Sequence, residues 1–272
     1  MFDYFKKSKA IEIQALQRLD DSGQLPAPCS GARLDFSRAL HLAAENKGLA
    51  IIAEYKRASP SQGDIALGIE PGQAARAYAR AGASAMSVLT EKIKFKGRLA
   101  FIQQAWAGGA QEASLPILRK DFIFDRLQIR ATAATPASAL LLIVGLTPEV
   151  EVLRDLREEA EGFGLQCVVE VLNEAELDLA RKSGAGIIQV NARDFHDLSV
   201  DLSRSLNLAR RQFDKSELWI AASGFSRPEE LPEAREVGYS AVLIGTSLMR
   251  GGDLAGSLAK MTAGLAGGEA AT

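Results

Sequence analysis

After Gly48 the chain settles into a rhythm of eight short apolar runs, at 49–54, 85–89, 116–119, 139–144, 166–171, 186–190, 218–222 and 241–244, separated by longer stretches of helical pattern. Runs this short and this continuously apolar read as strands covered on both faces, since a strand with one face in water alternates apolar and polar residues. The stretches between them carry helix punctuation. Pro71 opens one and Gly82 closes it, Thr147-Pro148-Glu149 opens another, and Ser226-Arg227-Pro228-Glu229 opens a third. Strand and helix in alternation imply a parallel sheet covered by helices. Eight such units in about 220 residues match a closed (β/α)8 barrel better than a doubly wound sheet, which has fewer strands and a glycine-rich nucleotide loop after the first. Here the first run leads instead into Arg57-Ala58-Ser59-Pro60-Ser61. The units share no sequence beyond the rhythm, which argues against a short-period repeat array. The expected fold is therefore α/β, a single TIM barrel preceded by a helical extension.

That extension occupies residues 1–48. Phe2, Phe5, Ile13, Leu16 and Leu19 recur near helical spacing among polar residues and predict an amphipathic helix over 1–19 that packs on something larger. Residues 20–33, with Pro26, Pro28 and Gly31, read as a loop, and a second helix over 36–46 stops at Gly48. The barrel takes 49–265, and 266–272 reads as a flexible tail. A length of 272 residues allows one large domain or two small ones, and the unbroken rhythm selects one barrel. The hydrophobic share of 47% and charged share of 24% suit a soluble protein with a sizeable core. A net charge of −2 gives no electrostatic footprint for nucleic acid or a membrane surface, so neither partner is expected. Cys29 and Cys167 show neither metal spacing nor a disulfide framework, and His41 and His196 are the only histidines. With no apolar signal core and no run of membrane-spanning length, the expected location is the cytoplasm, as a monomer or weak oligomer.

Chemistry in such barrels sits at the C-terminal ends of the strands. Those ends carry Glu54 and Lys56 on one face of the first strand, Thr90-Glu91 after the second, Lys120-Asp121-Phe122 after the third and Glu170 at the fifth. The sixth supplies Asn191-Ala192-Arg193-Asp194, the seventh Ser223-Gly224 and the eighth Gly245-Thr246-Ser247. Singly each has a structural explanation: Glu54 with Lys56, or Arg193 with Asp194, is a plausible surface pair, and Glu91 or Asp121 a plausible cap. Their convergence on one rim points to an active site. Ser223-Gly224 and Gly245-Thr246 fit the phosphate site that loops after strands seven and eight build, where glycine lets backbone N–H groups approach an anion. A phosphorylated small molecule is the expected ligand.

These stretches together resemble one family. Ile-Ala-Glu-Tyr-Lys-Arg-Ala-Ser-Pro-Ser from Ile52, Ser-Val-Leu-Thr-Glu from Ser87, Leu-Arg-Lys-Asp-Phe from Leu118, Val-Val-Glu-Val from Val168, Asn-Ala-Arg-Asp from Asn191 and Leu-Ile-Gly-Thr-Ser-Leu-Met-Arg from Leu243 look like indole-3-glycerol-phosphate synthase. The likeness implies ring closure of a carboxyphenylamino-deoxyribulose phosphate to indole-glycerol phosphate, with loss of carbon dioxide and water, in tryptophan synthesis. It implies no cofactor and no metal. On the family pattern Lys120 is the general acid toward the substrate ketone, Glu170 an acid or base in the dehydration, and Lys56 a cation that holds a substrate anion. Glu54 and Asn191 orient these groups. Ser59 and Arg193 resemble the contacts to the anthranilate carboxylate. Pro60, Phe95, Phe122, Leu141, Phe195 and Leu243 match the aromatic pocket, and Ser223, Gly224, Gly245 and Thr246 match the phosphate site.

Two departures stand out. Where the family reads Glu-Ser-Gly-Ile at the seventh strand, this chain reads Ala-Ser-Gly-Phe from Ala222, so a carboxylate is missing. The glycine-rich approach to the fourth strand is replaced by Thr135-Pro136-Ala137-Ser138, expected to lie far from the chemistry. The loss at Ala222 motivates an alternative reading, a sugar-phosphate-binding paralogue with weak or no catalysis. Phosphoribosylanthranilate isomerase is disfavoured, because it needs a cysteine base at the end of the first strand, where Glu54 stands.

Overall fold

The computed structural model describes residues 2–195, 197–212 and 214–266. Eight parallel strands close into a barrel in sequential order: β1 Ala50–Tyr55, β2 Ala85–Leu89, β3 Ile117–Ile123, β4 Ala139–Ile143, β5 Gln166–Val171, β6 Ile187–Asn191, β7 Leu218–Ala222 and β8 Ala241–Ile244. Closure is made by β1 pairing with β8, Ile52 opposite Leu243, and with β2, Glu54 opposite Ser87. The helices α1 Phe2–Asp21, α2 Phe36–Lys47, α3 Pro71–Arg80, α4 Ala100–Ala105, α5 Arg126–Ala133, α6 Val150–Gly162, α7 Glu174–Lys182, α8 Leu202–Ala209, α9 Leu231–Glu236, α10 Thr246–Met249 and α11 Leu254–Ala266 complete the chain. Among the described residues none is long and apolar enough to cross a membrane. The expected tail beyond 266 lies outside the described residues.

Alternation along the strands divides the core in two. One set faces out toward the helices and includes Ile51, Ala53, Val88, Leu140, Val169, Ile188, Trp219 and Val242. The other fills the barrel and includes Ile52, Leu118, Leu141, Val168, Ile187, Ile220 and Leu243. Two residues beyond each inward residue comes the next inward one, and near the C-terminal ends these are Glu54, Lys120, Glu170, Gln189 and Ala222. The apolar parity of each run thus fixes which polar side chains enter the barrel mouth.

The extension holds the barrel at both ends. Asp35 caps α2, its carboxylate accepting from Arg38 N, and Gly48 closes that helix at φ 78°, in the left-handed region a side chain disfavours. Phe36 and Leu40 of α2 are fully buried against the first residues of the strands, and Ser37 N donates to Gln166 at the start of β5. Helix α1 crosses the opposite end, with Phe5 stacked on Phe122 at a centroid distance of 3.5 Å. Residues 135–138 lie before β4, where the Arg33 guanidinium braces the carbonyls of Thr135, Ala137 and Ala133.

The third strand departs from its expected end at Arg119. It runs to Ile123, with its pairing to β4 shifting between Arg119 and Ile123. A shift of this kind is a bulge that re-aims side chains. Lys120, Asp121 and Phe122 therefore belong to an irregular strand and do not follow it. The apolar pattern could not reveal this, because Arg119 and Asp121 face a buried ion network where apolar residues would otherwise stand.

Candidate active site

A cavity of about 440 Å³ opens at the C-terminal end of the barrel. Its wall holds Glu54, Lys56, Ser59, Pro60, Phe95, Lys120, Phe122, Leu141, Asn191, Arg193, Phe195, Ala222, Ser223, Gly224, Leu243, Gly245 and Thr246. Residues scattered over nearly 200 positions of sequence thus meet in one place. Of the residues given a role by the family resemblance, Glu170 alone is missing from this wall; of the other strand-end residues, Thr90, Glu91 and Asp194 do not line it either. Glu170 faces a second cavity of about 40 Å³ that it shares with Phe2, Ile143, Val171, Leu172, Glu176, Asn191 and Phe195.

Two ion pairs organise the floor. Lys56 Nζ lies 2.6 Å from Glu54 Oε1, so the pair expected of a strand terminus exists and is inside the cavity wall. Lys120 Nζ lies 3.2 Å from Glu170 Oε2. Glu170 is 1% exposed and also accepts from Asn191 Nδ2 at 3.1 Å and from Gln189 Nε2. The Asn191 amide is in turn oriented by Arg193, whose backbone N donates to Asn191 Oδ1 at 3.0 Å. Arg193 directs its own guanidinium to Leu198 O at 2.7 Å, and burial pulls its pKa below the usual guanidinium value while Glu54 acts in the opposite sense. Asp194 meets Arg204 at 3.9 Å.

Beside Lys120, a buried cluster sets the bulge. Asp121 accepts from Lys9 at 2.7 Å, Arg119 at 2.9 Å and Thr90 Oγ1 at 2.6 Å. Burial works to raise the Asp121 carboxyl, but Arg119 and Lys9 outweigh it and hold the pKa down at about 2. Lys9 belongs to α1, so the same cluster fastens that helix over the barrel mouth.

One side of the cavity is aromatic. Phe122 stacks on Phe5, meets Phe195 edge-on at 6.1 Å and lies 6.4 Å from Phe95. Phe95 is placed by Glu91, a buried carboxylate that accepts from the backbone N of Ile93, Lys94 and Phe95 at 2.9, 2.7 and 2.9 Å. The other side is glycine-lined. Ser223 and Gly224 take consecutive positive φ values of 66° and 92°, a strained arrangement for serine that is typical of ligand-facing turns. A Cβ at Gly245 would fall 2.3 Å from Glu54 Oε1, so only glycine leaves that carboxylate in place. Ser59 Oγ and Ser247 Oγ belong to residues of the cavity wall and are buried without a hydrogen-bond partner among the described residues. Buried hydroxyls without partners are costly unless a ligand completes them.

Several residues in or behind the wall were given no role by the sequence reading. Phe5 comes from a helix far from the barrel motifs, and its amphipathic spacing said only that it would be covered. Ser247 and Arg250 sit inside the Gly-Thr-Ser-Leu-Met-Arg stretch, and Arg250 reaches over to Gln62 in the loop after β1. Gln189 had a readable signal, a lone amide at an inward position of an apolar strand. Cys29 is exposed and Cys167 packs on the outer face of β5, so neither thiol lines the cavity. Ala222 occupies the end of β7 between Asn191 and Leu243.

Solved structures share the fold at low identity. Thiamine phosphate pyrophosphorylase from Pyrococcus furiosus matches with a TM-score of 0.60 at 14% identity, covering 81% of this chain and 96% of that one. A 3-hexulose-6-phosphate synthase matches with a TM-score of 0.60 at 12% identity, covering 79% and 99%. The sequence comparisons are more specific. The chain is 39% identical over 255 residues to the indole-3-glycerol phosphate synthase of Chlorobium phaeovibrioides, covering 91% of this chain and 94% of that protein. It is 37% identical over 250 residues to that of Chlorobaculum tepidum, with coverage of 91% and 94%. The family model for indole-3-glycerol phosphate synthase matches residues 3–261. With its site residues converging on one barrel mouth and its sequence matched almost end to end, the chain belongs to the indole-3-glycerol phosphate synthase family.

Proposed function

We propose that this enzyme of tryptophan biosynthesis closes the ring of 1-(2-carboxyphenylamino)-1-deoxyribulose 5-phosphate through Lys120 and Glu170. The observation that carries the assignment is the 3.2 Å pair between Lys120 and Glu170, set between an aromatic wall and a glycine edge. Lys120 gives a proton to the ketone oxygen as the ring carbon that bears the carboxylate attacks. An ammonium there both donates the proton and stabilises the developing alkoxide. The carboxylate leaves as carbon dioxide, and its bonding pair restores the aromatic ring. The new hydroxyl then departs as water while the neighbouring carbon loses a proton, with Glu170 as the acid or base of this step. Lys56 holds a substrate anion, and Glu54 and Asn191 orient the two cations and the carboxylate.

The charge balance of the wall supports this reading. Lys56 is paired with Glu54 and Lys120 with Glu170. Among the described residues neither Arg193 nor Arg250 makes an ion pair with a carboxylate, although Glu54 acts on Arg193 from a distance, and the substrate brings two anionic groups. Ser59 and Arg193 suit the carboxylate. Pro60, Phe95, Phe122, Leu141, Phe195 and Leu243 suit the phenyl ring. Ser223, Gly224, Gly245 and Thr246 suit the phosphate, with Ser247 adding an available hydroxyl. Incubation with the substrate, followed by indole fluorescence, tests the assignment. Product formation that survives unchanged in Lys120→Met overturns these roles.

A further inference from the structure

Gln189 has no place in the roles above, yet it touches their central carboxylate. It stands in register with Glu170 across the β5–β6 pairing, and the parity set by Ile187 turns it into the barrel. Its side chain is fully buried, its Nε2 donates to Glu170 Oε2, and its Oε1 has no hydrogen-bond partner among the described residues. For the fold alone this is a poor choice. A leucine or methionine would fill the layer beside Ile220 without leaving a buried carbonyl unmatched.

Glu170 is surrounded by donors: Lys120 Nζ at 3.2 Å, Asn191 Nδ2 at 3.1 Å and Gln189 Nε2. That arrangement suits a carboxylate, which only accepts. An acid or base in the dehydration carries a proton for part of each turnover, and a protonated carboxyl must donate it to something. Lys120 offers no lone pair once it has regained the proton it gives up in ring closure and is again an ammonium. Asn191 cannot turn its amide without losing the bond from Arg193 N to its Oδ1 at 3.0 Å. Gln189 loses nothing by turning, because its Oε1 has no partner to give up.

We propose that Gln189 is a positioning residue for Glu170, whose amide donates to the carboxylate and reverses to accept from the carboxylic acid. It rests on the assignment of Glu170 as the acid or base. The proton itself moves only between substrate and Glu170. Gln189 exchanges one hydrogen bond for another and keeps both of its own amide hydrogens.

The test is a double-variant cycle read by indole fluorescence. Gln189→Met keeps length and packing while removing both donor and acceptor. It should lower kcat about tenfold with KM within twofold of wild type, whereas a general disturbance of the barrel mouth moves KM as well. Gln189→Leu serves as a second apolar variant, and circular dichroism with phosphate-ligand binding checks that each protein is folded. In a Glu170→Asp background the carboxylate is drawn back from Gln189, and adding Gln189→Met should cost less than a further twofold. A folded Gln189→Met or Gln189→Leu enzyme with kcat within twofold of wild type overturns the proposal. So does an equal tenfold loss in the Glu170→Asp background, which would mean that Gln189 acts independently of the carboxylate. Failure of the underlying assignment shows separately, as normal turnover by Glu170→Gln.

Discussion

Lys120 Nζ lies 3.2 Å from Glu170 Oε2, yet of the two only Lys120 reaches the main cavity. On the proposed roles the lysine meets substrate first, with the carboxylate behind it. Lys120→Met should therefore abolish turnover while leaving the affinity for a phosphate ligand within a few fold. General acid catalysis contributes roughly 10²- to 10⁴-fold. A variant that keeps more than about a tenth of the wild-type rate lies below that range and removes Lys120 from the role.

Glu170→Gln keeps the shape of the side chain and removes its capacity to take up and deliver a proton. Its kcat should fall by at least about 10²-fold, with substrate still bound. Single-turnover kinetics make the decisive measurement: an intermediate that forms at the wild-type rate and then stalls before indole fluorescence rises places the loss in the dehydration. An unchanged rate for both phases would exclude Glu170 from the chemistry.

Asp121 makes stability depend on acid. Its folded pKa of about 2 lies below the ordinary 3.8, so its contribution is present above the unfolded value and is lost as pH falls through about 2. The shift corresponds to on the order of 2 kcal/mol, lost between about pH 4 and pH 2. Asp121→Asn leaves the buried Lys9 and Arg119 with only the partly exposed Glu12, at 2.8 and 3.5 Å, as an anion and should destabilise the fold by up to about 3–5 kcal/mol at pH 7. Denaturant titrations of the two proteins from pH 7 to pH 2 should converge toward the acid end. Parallel curves would show that Asp121 is not the titrating group.

Gly245 is required by its neighbour. A Cβ would lie 2.3 Å from Glu54 Oε1, so Gly245→Ala must push Glu54 aside and loosen its 2.6 Å pair with Lys56. Phosphate-ligand affinity and kcat should both decline, by about tenfold for each interaction of roughly 1.4 kcal/mol that is lost. An added Glu54→Gln substitution should then have little further effect, since both changes act on one carboxylate. Full additivity of the two substitutions would refute the coupling.

Ala222 stands where the resemblance leads one to expect a carboxylate, and its Cβ faces the cavity wall between Asn191 and Leu243. If a supporting hydrogen-bonding group has been lost, Ala222→Glu should raise kcat/KM by about tenfold or less, corresponding to roughly 1.5 kcal/mol. Should the longer side chain crowd its neighbours, the variant would instead lose about 1–3 kcal/mol of stability, so the melting temperature is measured beside the kinetics. A folded, ligand-binding variant with unchanged kcat/KM would show that the site works without that carboxylate.

The barrel was legible because its two determinants are local. Apolar runs of four to six residues, spaced by Pro- and Gly-bounded helices, can bury both faces of every strand only in a covered parallel sheet, and eight of them close on themselves. Period-two parity then carried the site as well: once Ile52 and Val168 are inward, Glu54 and Glu170 must be too. What the sequence could not supply were relationships that exist only after closure. The bulge that carries Lys120 is held by Asp121, Arg119 and Lys9, and Lys9 lies more than a hundred residues upstream on α1. Phe5 becomes part of the aromatic wall only because α1 crosses the barrel mouth, and Glu170 meets Lys120 only because β3 and β5 flank β4 in the closed barrel and both turn these side chains inward. Gln189 shows the limit most clearly: its amide in an apolar strand was visible in the sequence, but the carboxylate it serves is a neighbour in space, brought there by the register of β6 against β5. Local patterning selects the elements and their faces, while partners across the barrel are chosen by closure, register and burial.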